Sequence, residues 1–425
     1  MPGALTQAAV PVSADEFAQL VKKFFPLADK IAVAVSGGPD SMAMALCVKR
    51  WAQHDMVALI VDHGLRAESA AEAEQVKAHL QKTGVAAEIL RWDHPPVTAR
   101  LHERARAARY GLLTGACRRL GAGDLLLAHH RDDQAETILM RMARGSGIDG
   151  LAGMAAQTQR DGIRLLRPFL PIAKQRLVAT CDAARLDYVT DASNTSEKFA
   201  RGRLRKILPL LADEGLTVET VTGLGARAAD ARDALDFYTH QFLRESVSVE
   251  IGGTLRMERA ALRDVPRAVG LRAVASCLRY IHDEAHPPEH ESLSALFDVI
   301  CEQTTDTVRT LYGCMISISE TRVQFLREPS AAMARIALRP GETVLWDERW
   351  LLTARMERED LVLGALGIPT HEDIDRLAPG LRHKIPQGRV RASLPALWLG
   401  DKLYAIPVFD EKAAFCLSYL KQSFP

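Results

Sequence analysis

Three things are scarce in this 425-residue chain. The first is cysteine. The seven cysteines, at 47, 117, 181, 277, 301, 314 and 416, make an odd count, and no two of them stand as C-x-x-C. That argues against a disulfide framework, a zinc ribbon and a cysteine-held iron–sulfur cluster, and for the cytoplasm as compartment. The second is the long apolar run: none approaches the roughly eighteen residues of a membrane span, so no membrane partner is expected. The third is charge of one sign. Lys plus Arg (54) and Asp plus Glu (53) leave a net charge of +1, so a nucleic-acid partner must be sought in local patches. The opening MPGALTQAAVPVSADEF carries no Lys or Arg ahead of its apolar residues, which argues against a secretory signal. Internal repeats and low-complexity segments are also missing.

What remains is ordinary globular composition, 48% hydrophobic and 25% charged, at a length that suits two or three domains. Short apolar runs at 31–35, 57–61, 85–90 and 124–128 read as strands, with a fifth supplied by Leu165-Leu166 or Tyr188-Val189. Helical spacing fills the gaps, notably over 15–25, 70–80 and 99–120. Strands alternating with helices predict a doubly wound parallel α/β domain over 15–215, after a flexible stretch at 1–14. Residues 216–330 read as a mainly helical domain, with helices over 217–245, 262–281 and 292–301. A hairpin is expected around Gly252-Gly253. A linker is expected near Glu328-Pro329-Ser330. Beyond it, 331–425 reads as a small α+β domain of short strands.

The first strand ends in SGGPDS. Ser36, Gly37, Gly38, Pro39, Asp40 and Ser41 form a loop whose glycines permit close backbone approach, and Pro39 suits the first helical position. A helix start there presents free N–H groups to an anion. The dipole contributes only about 0.3–1 kcal/mol per charge at an exposed end. A polyphosphate therefore also needs the hydroxyls of Ser36 and Ser41 and a metal. The loop is not G-x-x-x-x-G-K-[ST], so it is no Walker A loop. A tight turn with a Ser or Asx cap is the plain alternative. The later RGSGIDG contains G-x-G-x-x-G but follows a helix, so it reads as a helix stop and not as a dinucleotide site.

The fourth strand opens onto HHRDDQAET. Asp133 and Glu136, three apart, share a helix face, and two hard oxygen ligands suit Mg²⁺. The competing reading is a capping box with Asp133 as N-cap and Glu136 reaching back. His129 and His130 lack the partners of a zinc site. Of Arg104, Arg106 and Arg109, the last is the candidate for a phosphate or a developing negative charge, the others reading as an exposed face. Asp62 and His63 end the second strand, where such folds contact adenosine.

SGGPDS, DHGLR, RAARY, HHRDDQAET, RGSGIDGLAGM, LLRPFL and DASNTSEKFARGRLRKILPLL stand in an order and spacing that resembles the PP-loop (N-type) ATP pyrophosphatases. Among these the set is most similar to the tRNA(Ile)-lysidine synthases. The resemblance runs through most of the first 211 residues and is vaguer beyond. It implies an enzyme that uses ATP to adenylate C2 of the wobble cytidine of a CAU-anticodon tRNA(Ile), releasing pyrophosphate. Free L-lysine then displaces AMP. On this chain it implies that Ser36–Ser41 hold pyrophosphate, with Asp62 and His63 beside the nucleotide. Asp40, Arg109, Asp133 and Glu136 become the catalytic groups, and Mg²⁺ the metal on Asp133 and Glu136. A homodimer is left open.

KFARGRLRKILPLL gathers Lys198, Arg201, Arg203, Arg205 and Lys206 without an acid. The resemblance marks this run for tRNA phosphates; a solvated helix face is the alternative. A second basic cluster, Arg382, Lys384, Arg389 and Arg391, belongs to the C-terminal segment expected to touch tRNA. Two rivals remain: a tRNA 2-thiolating PP-loop enzyme, which would need sulfur-handling cysteines, and a non-catalytic ATP- or RNA-binding module.

Overall fold

The computed structural model describes residues 9–51, 54–66, 68–94, 101–189, 200–250, 252–282, 288–331, 334–355, 360–377, 381–385, 388–409 and 415–419. The chain divides into two compact units, Met1–Arg232 and Asp233–Pro425.

The first unit runs α1 (Ala14–Lys22), β1 (Lys30–Val35), α2 (Pro39–Trp51), β2 (Asp55–Asp62), α3 (Ser69–Lys82), β3 (Ala87–Arg91), α4 (Leu101–Leu120), β4 (Asp124–Leu126), α5 (Arg131–Met142) and α6 (Ile148–Leu151). It continues with β5 (Gln157–Arg160), β6 (Ile163–Leu166), α7 (Lys174–Ala183) and α8 (Ala200–Asp213), and α9 (Val218–Ser246) runs across the division between the units. The six strands lie in the order β3-β2-β1-β4-β6-β5, all parallel except β5, which returns antiparallel to β6. The fifth parallel strand is thus the one around Leu165-Leu166. Tyr188 and Val189 lie outside any strand, though the Val189 amide donates to the Gly37 carbonyl at 2.9 Å.

β1 shows why a short β-branched run becomes a central strand. Ile31, Val33 and Val35 pack into one core with Phe17 of α1, Met42 of α2 and Leu177 of α7. Ala32 and Ala34 pack into the other with Leu59, Leu125 and Leu113 of α4. Both faces are covered, so both residue sets are apolar. Strand order reverses between β1 and β4. The crevice beyond their carboxyl ends is the switch point where such sheets take ligands.

Of the stretch 1–14, residues 1–8 lie outside the described residues; in 9–14 Val12 is buried, its amide donates to Thr180 Oγ1 at 2.9 Å, and Arg176 Nε donates to the Val10 carbonyl at 2.8 Å.

The second unit adds β7 (Val247–Glu250), β8 (Thr254–Glu258), α10 (Arg259–Asp264), α11 (Arg267–Ile281), α12 (His290–Glu302), β9 (Thr307–Leu311), β10 (Cys314–Ile318) and β11 (Arg322–Arg327). The hairpin and helices stand where the sequence puts them, with one expected helix interrupted ahead of Arg267 by Pro266. Beside them 307–327 completes a five-stranded antiparallel sheet, β7-β8-β11-β10-β9, that composition did not signal. The rest comprises β12 (Ile336–Ala337), β13 (Thr343–Trp346), β14 (Trp350–Ala354), β15 (Val362–Ala365), α13 (His371–Leu377), α14 (Leu381–Lys384), β16 (Pro395–Leu399), β17 (Lys402–Ala405) and β18 (Phe415–Tyr419). At the β13–β14 turn Asp347 and Glu348 both take positive φ, 50° and 53°. The buried Asp347 carboxylate offsets that strain by pairing with Arg327 at 3.1 Å and Arg349 at 2.7 Å.

At the amino edge of the first sheet, the buried Asp124 of β4 accepts from Arg164 of β6 through Nε at 2.6 Å and Nη2 at 2.7 Å. Its Oδ2 also accepts from the Ala28 amide at 2.7 Å, which ties in the segment before β1. Replacing Asp124 by Ala leaves the Ala28 amide without its acceptor and Arg164 without its carboxylate, though Arg164 keeps the Pro26 carbonyl at 2.7 Å. The expected loss is about 1–3 kcal/mol of stability, read as a lower midpoint in urea unfolding.

Candidate active site

The SGGPDS loop leaves β1 at the switch point. Gly37 has φ +86°, and a Cβ there would meet Val76 Cγ2 at 2.4 Å, so only glycine fits. The loop is braced from within: Ser41 Oγ accepts from the Ser36 amide at 3.1 Å and donates to the Gly38 carbonyl at 3.0 Å. Pro39 opens α2, as its type suggests, and its carbonyl accepts from the Cys181 thiol at 3.3 Å.

Two cavities flank the loop. One, of about 420 Å³, is lined by Ser36 and Gly38, by Asp62 and His63 at the end of β2, and by Arg109 of α4. The Asp62 carboxylate is already engaged, accepting from the Gly64 amide at 3.0 Å and Ser69 Oγ at 2.7 Å, so it shapes the turn after β2. His63 differs. Burial, and then the charge of Arg109, lower its pKa, and its buried Nδ1 has no partner among the described residues. A neutral imidazole with a spare nitrogen is available to a ligand. Burial likewise disfavours the Arg109 charge, which an anion in the cavity would restore.

The other cavity, of about 370 Å³, is lined by His130, Asp132, Glu136, Lys174 and Arg205, with an apolar wall from α8 and Val218. Between the two stands a charge cluster centred on His130. Its Nε2 lies 3.5 Å from Asp40 Oδ2 and 3.4 Å from Asp133 Oδ2, and its Nδ1 lies 3.5 Å from Asp132 Oδ2. The loop and the acids of α5, far apart in sequence, therefore meet on one edge of the sheet.

The helix start differs from the expected one. His130, not Asp133, is the N-cap of α5; Asp133 is the third helical residue and accepts from the His130 amide at 3.2 Å. Glu136 sits a turn further in, is buried, and takes Arg205 of α8 on both oxygens, Nε on Oε1 at 2.5 Å and Nη2 on Oε2 at 3.3 Å. Arg205, expected among the tRNA contacts, thus faces the acids. Leu204, Leu208 and Leu211 hold α8 against Ile138 and Leu139 of α5. Pro209 cannot donate to the Arg205 carbonyl four residues back, which loosens the helix ladder at that turn. Arg203 and Lys206 are exposed, the side chain of Arg201 and all of Lys198 lie outside the described residues, and so do the side chains of Arg382, Lys384 and Arg389. Residue types alone offered no signal for the Arg205–Glu136 pair.

Hard-oxygen chemistry and one orphaned atom test whether a divalent cation fits. Asp40 Oδ1 is buried without a partner among the described residues, and Asp133 lies just across the imidazole. These two fit Mg²⁺; Glu136 is already neutralised by Arg205.

Burial by itself would lower the His130 pKa. Hydrogen bonds with Asp132 and Asp40, and the charge of Asp133, overcome it and push the value up to about 9. The same imidazolium helps hold Asp132 down at about 2, against the effect of burial. A protonated ring cannot accept from the Asp133 amide, so it donates to the carboxylates. Because the folded value is raised, the stabilisation is complete below the unfolded pKa of about 6.5 and is lost as pH rises through about 9. In EDTA, urea unfolding should show up to about 3 kcal/mol less stability at pH 10 than at pH 6 from this group. His130→Gln should flatten that part of the profile; an unchanged slope in the variant would show that the imidazole is not the titrating group.

The PP-loop domain family matches residues 10–211. The tRNA(Ile)-lysidine synthase of Methylobacterium sp. (strain 4-46) is 39% identical over 335 residues, covering 76% of this chain and 97% of the relative. That of Rhodopseudomonas palustris is 38% identical, covering 71% and 91%. That of Ruegeria pomeroyi is 33% identical over 387 residues, covering 89% and 88%. With similarity running far past the PP-loop domain and through nearly the whole of these relatives, the chain is an enzyme of the ligase type and belongs to the tRNA(Ile)-lysidine synthase family.

Proposed function

We propose that the protein joins free L-lysine to C2 of the wobble cytidine of a CAU-anticodon tRNA(Ile), by way of an adenylated tRNA. The observation that carries this reading is the meeting of Asp40 with His130 and Asp133 at the switch point, with the nucleotide-sized cavity on the far side of the same loop. ATP lies in that cavity, its pyrophosphate against the backbone of Ser36–Ser41 and the start of α2. His63 Nδ1 takes a hydrogen bond from, or gives one to, the adenosine. Arg109 offers its guanidinium to charge that builds at the α-phosphate. Asp40 and Asp133 would hold Mg²⁺, which supplies Lewis-acid neutralisation of phosphate oxygens when bound.

Adenylation turns the C2 oxygen into a leaving group, AMP, and splits one hard displacement into two. Lysine must attack as a neutral amine. With a reference pKa near 10.4, about one molecule in 2,500 is neutral at pH 7, a cost of about 4.6 kcal/mol. The second cavity suits this substrate: Asp132 for an ammonium, Lys174 for a carboxylate, and Leu208, Pro209 and Ala212 for the methylene chain. Its apolar wall disfavours the charged amine. The tRNA lies against Arg203 and Lys206 of α8, with Lys198 and Arg201 in the same run, and against the 331–425 segment. We retain the three-part division into 15–215, 216–330 and 331–425 as part of this reading.

The thiolating alternative loses ground on geometry as well as sequence. Neither cavity is lined by a cysteine, and Cys181 beneath the loop has its thiol pushed up to about 12 by burial. Such a thiol is not a ready nucleophile.

The deciding test combines purified protein, ATP, Mg²⁺, labelled lysine and the CAU-anticodon transcript, and measures label in RNA together with AMP and pyrophosphate. Incorporation is expected. Asp133→Ala should lower it by at least about 100-fold while tRNA affinity changes less than about threefold. Label retained at the normal rate in this variant would remove Asp133 from the catalytic set.

A further inference from the structure

We propose that Arg106, Arg160 and Arg167, gathered around the ring of Tyr110, form a clamp for a backbone phosphate of the RNA beside the reacting nucleotide, distinct from the loop that takes the nucleotide triphosphate. The proposal rests on the RNA substrate proposed above and adds a binding site for it.

Tyr110 of α4 is buried, and two guanidiniums close on its ring, Arg106 at 5.2 Å and Arg160 at 4.9 Å from the centroid. Arg167, just past the carboxyl end of β6, is 7% exposed. Its Nη1 donates to the Ala155 carbonyl at 2.9 Å and Thr158 Oγ1 at 3.1 Å, and its Nε is buried with no partner. Among the described residues neither Arg106 nor Arg167 has a carboxylate at ion-pair distance. Arg160 has one: Asp161 Oδ2 lies 3.8 Å from its Nε and also accepts from Thr114 Oγ1. Buried cations are normally paired, because removing a charge from water without compensation costs several kcal/mol. Of the three only Arg167 is buried without such compensation, Arg106 and Arg160 reaching solvent and Arg160 having Asp161 at 3.8 Å; an anion held by all three would supply it.

Geometry selects a phosphate of the RNA over one of the nucleotide. The cavity beside the loop is lined by Arg109 but by none of these three side chains. Arg106 lies one helical turn before Arg109 on the same face of α4, and Arg167 follows a strand parallel to β4, so these two stand on the site's edge of the sheet; Arg160, opposite Ile163 at the start of β6, reaches the Tyr110 ring from the amino side. Arg106 and Arg160 are exposed, as a strand lying across the edge requires. Guanidiniums stacked on an aromatic ring keep their in-plane donors free for phosphate oxygens.

The test is the double variant Arg106→Ala/Arg160→Ala, whose positions are exposed, measured for tRNA affinity from 50 to 300 mM KCl without ATP and for ATP affinity without RNA. RNA binding should weaken about tenfold, with the salt slope reduced by about one and ATP affinity within about twofold of the parent. Arg167→Lys, which keeps the charge but loses the fork, should weaken RNA binding about threefold. Unchanged RNA affinity and slope in the double variant would overturn the clamp. A fall in ATP affinity with RNA binding intact would also overturn it, giving the arginines to the nucleotide. Lysine incorporation by the parent protein separates the two levels. If it occurs while the variant binds RNA normally, only the clamp fails; if it does not occur, the ligase reading fails by itself.

Discussion

Four carboxylates crowd the crevice between β1 and β4, and everything at the site depends on how their charge is balanced. At an effective dielectric of about 20, two like charges about 4 Å apart repel by about 4 kcal/mol. Asp40, Asp132 and Asp133 approach one another only because His130 stands among them, and Glu136 is buried only because Arg205 covers it. Asp40, Asp132 and Asp133 share the one imidazolium among the contacts described, three carboxylates to one charge. That deficit, with an unpartnered oxygen on Asp40, is what a divalent cation would satisfy. The imidazolium and such a cation address the same oxygens, so His130 holds the acids in position for a metal and competes with it. The loop of α2 and the start of α5 are thereby fixed to one another across the switch point.

Much of this arrangement was legible in residue order, and the parts that were not have a common cause. β1 to β4 were readable because strands buried on both faces are continuous apolar runs, a local property. The loop was readable because Gly37 satisfies a local demand, positive φ with no room for a side chain. Asp133 and Glu136 were readable as a pair, yet their helix starts three residues earlier than the acids suggested. Histidine is a rare N-cap, and it caps here because its ring is wanted by Asp40 and Asp132, residues outside the capping pattern. Arg205 reads as one more charge in a basic run, because Glu136 is 69 positions away and no pattern links them. The strands at 307–327 mix Thr, Arg and Ser with apolar residues and declare themselves only once β8 pairs with β11.

A net charge of +1 hides a sorting of arginines by what each faces. Arg164 and Arg176 are structural, bound bidentately to Asp124 and Glu16. Arg205 is bound to the acids of the site, and its position is set by apolar packing: Leu204 and Leu208 on the same turns of α8 seat the helix against α5. A change in that packing would reach the charge cluster without touching a charged residue. Arg109 and Arg167 belong to neither group, since no carboxylate pairs with them among the described residues. Arg259 meets four backbone carbonyls, whereas Arg167 has only the Ala155 carbonyl and Thr158 Oγ1, both on Nη1, and a buried Nε without a partner among the described residues.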